Sequence, residues 1–290
     1  MSTDPQVIWE VQAQLGEGPV WVERDQALWF TDIKHQRVHR LDPATGDRHS
    51  WQAPEQVGFV LPAESGGFIA GLQSGLHRFD PGSGRFRLIV AVEPDRPTNR
   101  LNDGVVDPAG RLWFGTMDDS ERENSGAYYC FCRGELRTSG LSGIAITNGP
   151  AISPDGRTLY WVDTIGRGIY ACDIEEDGSL NPSREFVRIA PGEGHPDGPT
   201  VDSDGSVWIG LYGGWEARRY SAEGELIERV RFPVANITKL AFGGADLRTA
   251  YATTARHLLK PRELEEQPLA GGLFAFRTAV PGRPCPLVAD

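Results

Sequence analysis

Residues 111–116 read RLWFGT, and the same outline returns as ALWFTD at 27–32, GFIAGL at 67–72, TLYWVD at 158–163, SVWIGL at 206–211 and TAYATT at 249–254. Each is a short apolar run with a bulky centre, bounded by turn residues, as expected for a buried β-strand. Aligned on Trp29, Ile69, Trp113, Tyr160, Trp208 and Tyr251, the units follow one another at about 40 to 48 residues, the length of a four-stranded propeller blade. A second strand follows each: RVHRLDPATG (37–46), GLHRFDPGSG (75–84), GAYYCFCRG (126–134), GIYACDIEEDG (168–178), EARRYSAEG (216–224) and GGLFAFRTAVPG (271–282). The expectation is an all-β fold: one six-bladed β-propeller over residues 1–290, with four-stranded blades around a central channel. A β-sandwich does not require one strand-turn pattern to recur at blade length.

Working outward from the repeat, extra residues near 118–125 and 255–270 fall between strands of a unit, where a loop can lengthen without disturbing the sheet. Only the segment around 258–266 reads as helical. Among 290 residues, 39% are hydrophobic and the formal net charge is −11, which supports a large core and opposes nucleic acid or an anionic membrane as partner. No apolar run approaches the roughly 18 residues that cross a bilayer, and MSTDPQVIWE lacks the features of a signal peptide; the expected location is the cytoplasm. Cys130, Cys132, Cys172 and Cys285 show neither CxxC spacing nor nearby histidines, so buried free thiols are expected rather than a zinc site, with the CxC pair on one strand face.

The repeat also points to a site. Residues at one offset before each anchor should occupy equivalent places around the channel. About eleven or twelve residues before the anchors stand Glu17 in LGEGPVW, Asn102 in RLNDGVVD, Asn148 in ITNGPAIS and Asp197 in HPDGPTVD, with Val57 and Lys239 in the other two units. Taken singly, Asn148-Gly149 and Asp197-Gly198 would pass as turns; their common register argues for a site. Carboxylates and amides that converge in a partly dry channel repel and stay unsatisfied without a cation between them. Oxygen donors favour a hard ion, Ca²⁺, Mg²⁺ or Mn²⁺, or Fe²⁺, over a zinc-thiolate site, and the expectation is one divalent metal ion, Ca, Mn, Mg, Fe(II) or Zn.

At GEGPVW (16–21), NRLNDGVVDPAGRLWFGTM (99–117), ITNGPAISPDG (146–156), HPDGPTVDSDG (195–205), AFGG (241–244) and PLAGGLFAF (268–276) the sequence resembles the SMP-30/gluconolactonase/regucalcin family of sugar lactonases, from about residue 15 to 276. The resemblance implies a divalent metal held by Glu17, Asn148 and Asp197, substrate binding by Arg100 and Asn102, and Asp197 as general base. Asp103 is expected to support its loop. The implied reaction is hydrolysis of an aldonolactone, a small-molecule sugar lactone, to the aldonic acid in pentose or hexose catabolism. Where some members place an acidic residue after GTM, this chain has Asp118, Asp119 and Ser120, and the sequence does not choose among them. His195 reads more simply as an exposed loop histidine than as a pocket residue. Two other readings are an arylesterase or organophosphatase using the same metal, and a non-catalytic propeller serving as an interaction platform; the latter lacks WD or Kelch repeats.

Overall fold

In a computed structural model of the chain, which describes residues 3–290, the turn-bounded runs fold as antiparallel meanders. Strand β1 (Gln6–Trp9) comes first. Then follow β2 (Gly16–Val22), β3 (Ala27–Asp32), β4 (Arg37–Leu41) and β5 (Arg48–Gln52), and β6 (Val57–Pro62), β7 (Phe68–Leu72), β8 (Gly75–Asp80) and β9 (Arg85–Ala91). The next two sheets are β10 (Asn99–Val106), β11 (Leu112–Asp118), β12 (Gly126–Cys132) and β13 (Glu135–Ile144), and β14 (Thr147–Ile152), β15 (Thr158–Asp163), β16 (Gly168–Asp173) and β17 (Arg184–Arg188). The chain continues through β18 (His195–Val201), β19 (Val207–Tyr212), β20 (Glu216–Tyr220) and β21 (Leu226–Arg231), then β22 (Ile237–Gly243), β23 (Thr249–Thr254) and β24 (Leu273–Arg277).

The expectation of six separate blades is corrected. Four four-stranded blades, not six, stand as separate sheets: β2–β5, β6–β9, β10–β13 and β14–β17. The other eight strands form one sheet in the order β1-β24-β23-β22-β18-β19-β20-β21, joined by a parallel bridge between Gly198 of β18 and Lys239 of β22. The physical cause is local. Gly198 has no side chain, and a Cβ there would lie 2.7 Å from Lys239 Cγ; glycine alone lets the two backbones approach closely enough to pair. The arrangement is propeller-like, and the pairing of β1 with β24 brings the two ends of the chain into one sheet.

Composition follows position within each meander. Innermost strands such as GEGPVWV (β2) and TNGPAI (β14) are buried throughout, whereas outer strands such as RHSWQ (β5) and LIERVR (β21) are largely exposed and carry charge, which discourages pairing with another chain. Neighbouring sheets are keyed together by aromatics: Trp29 on Phe68 at 4.3 Å between ring centroids, Phe59 on Phe114 at 6.1 Å, Tyr128 on Trp161 at 5.9 Å and Trp21 on Tyr251 at 6.0 Å. The six anchor residues all lie in second strands, β3, β7, β11, β15, β19 and β23. A short helix α1 spans Pro261–Glu266; it starts later than expected because Leu258 adopts φ +66°, outside the helical region, and proline opens the first turn. All four cysteines are free, but Cys172 alone is fully buried. Cys130 and Cys132 share one face of β12, lining the same surface groove. Among the described residues no helix is long and apolar enough to cross a membrane.

Candidate active site

Every innermost strand loses antiparallel register at one place, and these are the places the repeat aligned. The irregularities fall at Glu17–Val20, Val57–Phe59, Leu101–Gly104, Asn148–Ala151, Pro196–Pro199 and Ile237–Leu240. A bulge re-aims a side chain that a regular strand would send into the sheet, so one device repeated around the ring turns these residues toward the channel. Hydroxyls brace the irregular backbone. Thr31 Oγ1 donates to the carbonyls of Glu17 and Gly58, Thr238 Oγ1 to that of Gly16, and Tyr128 to that of Asn148 at 2.7 Å.

Glu17, Arg100, Asn102, Asn148 and Asp197 all line one cavity of about 660 Å³, its open mouth included. All five are buried, with exposures of 3–5%. Glu17 accepts a hydrogen bond from the Gly18 N–H (3.0 Å). Burial, reinforced by the charge of Asp103, raises the Glu17 carboxyl well above the usual carboxylate range. Burial raises Asp197 too, with Glu17 and Asp103 adding to the effect, and its Oδ1 is buried without a hydrogen-bond partner. Two facing acids that resist ionisation, one with an orphaned oxygen, form an arrangement that a cation would satisfy. Asn148 lines the same cavity, and its Nδ2 donates to Thr164 Oγ1 (2.8 Å), which fixes the flip of the amide.

Two carboxylates and a carboxamide on one cavity wall are oxygen donors of the kind a hard divalent ion takes. Among the described residues no group of three or more His, Cys, Asp or Glu stands ready to hold a metal. Asp103 is engaged elsewhere. Lys239 Nζ reaches both of its oxygens at 2.6 Å, and the N–H groups of Gly104 (2.8 Å) and Gly149 (3.2 Å) donate to it. The sequence reading gave Asp103 a supporting role but left Lys239 as a gap in the pattern; the register had marked its position without its partner.

Arg100 and Asn102 are brought together. Arg100 Nη1 donates to Asn102 Oδ1 (2.6 Å), while Asn102 Nδ2 donates to Asn148 Oδ1 (2.9 Å) and to the Thr147 carbonyl (2.6 Å). Of the acidic pair after Met117, the structure separates the roles. Asp118 accepts from Ser120 Oγ and from backbone N–H groups of its own loop. Asp119 faces Arg100 Nε (2.7 Å), Lys34 Nζ (2.6 Å) and Gln56 Nε2 (3.0 Å). Burial alone would raise Asp119, but these three donors hold it at about 2. Lys34 and Gln56 were not found from sequence, since each lies in a loop of a different unit with no motif to mark it.

His195 also departs from expectation: it is the first residue of β18, half-buried, and lines the cavity. Its Nε2 meets Arg167 Nη2 at 3.1 Å and its Nδ1 meets the Thr164 carbonyl at 3.1 Å. Arginine can only donate, so Nε2 is the acceptor and Nδ1 carries the proton; both nitrogens are spoken for, and Asp197 is not among their partners. Tyr212 and His257 complete the wall, the tyrosine hydroxyl donating to the His257 carbonyl (2.5 Å). Burial, then the charge of Lys34, lowers the His257 imidazole below its ordinary value.

The likeness to known proteins runs over nearly the whole chain. The family model SMP-30/Gluconolactonase/LRE-like region matches residues 15–256. A 6-deoxy-6-sulfogluconolactonase of Pseudomonas putida is 38% identical over 95% of both chains, and an L-arabinolactonase of Azospirillum brasilense is 36% identical over 91% of this chain and 88% of its own. In three dimensions, a calcium-binding protein, regucalcin from Agrobacterium tumefaciens, superposes with a TM-score of 0.95 at 28% identity, covering 99% of this chain and 98% of that one. With the family motifs falling on the bulged strands that line one cavity, the chain belongs to the SMP-30/gluconolactonase/LRE-like family.

Proposed function

We propose that the protein hydrolyses a sugar lactone, an internal carboxylic ester, to its open-chain acid, with a divalent cation held by Glu17, Asn148 and Asp197. The observation that carries this reading is the buried Glu17–Asp197 pair, with Asp197 Oδ1 unpartnered, on a cavity wall that also presents Arg100. Two relatives are named as lactonases of sugar acids. The cation would polarise the lactone carbonyl and offset the charge that develops on its oxygen.

The chain's own residues do the rest. Arg100, held by Asp119 and Asn102, presents a guanidinium edge to ring hydroxyls. Asn102 uses its polar atoms on Arg100, Asn148 and Thr147, so it aligns the arginine and the Asn148 amide as much as it touches the sugar. Asp197 is the general base: the carboxylate oxygen not turned to the cation would take the proton of the attacking water, a weaker base than a free carboxylate because the cation draws on the same group. His257 and His195 border the cavity. Apolar residues Leu15, Met117 and Ile146 cover the remaining wall and exclude water from the ester.

The test is the opening of aldonolactones by metal-stripped protein, followed with a pH indicator as Ca²⁺, Mg²⁺, Mn²⁺, Fe²⁺ or Zn²⁺ is restored in turn, with Asp197→Ala alongside. Ion-dependent opening that vanishes in the variant, with its circular dichroism unchanged, is expected. Turnover of phenyl acetate above that of every lactone would replace this reading by an arylesterase, and substantial residual turnover in Asp197→Ala would move the base elsewhere.

A further inference from the structure

Around the channel the innermost strands lie in the order β2, β6, β10, β14, β18, β22, each in contact with the next and β22 with β2. The strand carrying Lys239 therefore stands between those carrying Asp197 and Glu17, and β10, carrying Asp103, stands across the ring from it. The ammonium of Lys239 crosses the channel to grip both Asp103 oxygens. Both residues are buried. Lys239 also lines a second cavity, with Gly104 and residues 283–286, which shares no lining residue with the candidate active site.

From this we infer that Lys239 sets the charge and membership of the metal site, an inference that rests on Glu17, Asn148 and Asp197 being the ion's ligands. Three buried carboxylates approach the axis: Glu17, Asp103 and Asp197. Asp103 is saturated by the ammonium and by the Gly104 and Gly149 amides, which withholds it from an ion above. Two carboxylates remain facing the cavity, and their summed charge matches one divalent ion. The lysine is held in this role by packing: its stem lies against Gly198, where a Cβ would meet Lys239 Cβ, Cγ and Cδ at 2.7–2.8 Å. Lys239 is thus a positioning residue whose effect is on which cation the site prefers. A buried ion pair with no other duty would contribute only to the fold.

The experiment compares wild type, Lys239→Met and the double variant Lys239→Met/Asp103→Asn, all metal-stripped, titrated with Ca²⁺ by calorimetry and with Tb³⁺ by sensitised luminescence. Removing the ammonium alone leaves a third carboxylate beside the site, so the ratio of Tb³⁺ to Ca²⁺ affinity should rise at least about tenfold, because the added charge attracts a trivalent ion more than a divalent one. Removing both members restores the balance, and the double variant should return the ratio and the Ca²⁺ affinity to within about threefold of wild type. An unchanged ratio in Lys239→Met overturns the inference. So does a large loss of Ca²⁺ affinity in the double variant, which would make Asp103 a ligand, and this arm stands even if the single variant fails to fold. Wild type that binds neither ion would remove the metal reading itself; wild type that binds Ca²⁺ with an unresponsive ratio would remove only the role given to Lys239.

Discussion

His39 gives the fold an acid weakness whose size follows from its surroundings. It lies on β4, stacked on Phe30 at 4.9 Å and edge-on to Trp9 of β1 at 5.3 Å, with Nδ1 sharing a hydrogen bond with Ser50 Oγ (2.7 Å). Its Nε2 is buried without a partner. Burial pushes the imidazole down from 6.5 to about 4, against the pull of Asp32. The folded protein thus keeps His39 neutral where the unfolded chain takes up a proton. With the folded value depressed, the stabilisation is whole above pH 6.5 and is lost as pH falls toward 4. A shift from 6.5 to about 4 corresponds to about 3 kcal/mol, a large share of the roughly 5–15 kcal/mol that holds a typical domain.

Urea unfolding of wild type and His39→Asn at intervals from pH 7.5 to 4 measures this directly. Asparagine keeps a polar group near Nδ1 and removes the titrating ring. The variant should start about 1 kcal/mol less stable through its lost ring contacts, then fall less steeply, so that the curves converge or cross before pH 4. Parallel curves over the whole range would refute the reasoning. The result also bears on function, since an acid limb in lactone turnover that moves with His39→Asn reports unfolding, and one that does not belongs to the site.

Three further outcomes are expected. Arg100→Met should lower kcat/KM by about 10- to 100-fold, chiefly through KM, as expected for loss of a charge-assisted substrate contact, and Asp119→Asn should act on the same parameter by a smaller factor; unaltered kinetics in Arg100→Met would remove it from the substrate site. Asp202→Ala should destabilise by about 3–5 kcal/mol, because the buried carboxylate accepts from Trp208 Nε1 (3.0 Å), Arg219 Nε (2.8 Å) and the N–H groups of Asp204 and Ser206; a melting temperature within about 2 °C of wild type would contradict that cost.

Much of this was legible in the sequence because a repeat turns a three-dimensional question into an alignment. The anchors are second strands because apolar alternation and turn residues are local signals. The offset that selected Glu17, Asn102, Asn148 and Asp197 led to one cavity wall because each sits at or within a strand irregularity. What was not legible depends on closures between units. Asp119 could not be told from Asp118 because its partners, Lys34 and Gln56, come from loops more than 60 residues away. His195 looked like a loop residue because the pairing of β18 with β19 that half-buries it leaves no trace in HPDG. The joining of eight strands into one sheet turned on a single close approach at Gly198, which no period in the sequence records.

The register positions also explain why a repeated fold carries a one-sided site. If all six positions carried the same residue, the channel would be a symmetric ring with no preferred face for a substrate. Here they read Glu17, Val57, Asn102, Asn148, Asp197 and Lys239, and the ring order makes the differences meaningful. The acids flank the lysine strand, the amides follow one another on the other side, and the apolar position lies between Glu17 and Asn102. The residues proposed to hold the ion therefore gather across one arc, Arg100 stands beside the amides, and the lysine carries its charge away to Asp103. The backbone is repeated so that bulges aim six residues inward; the chemistry exists because those six residues are not repeated.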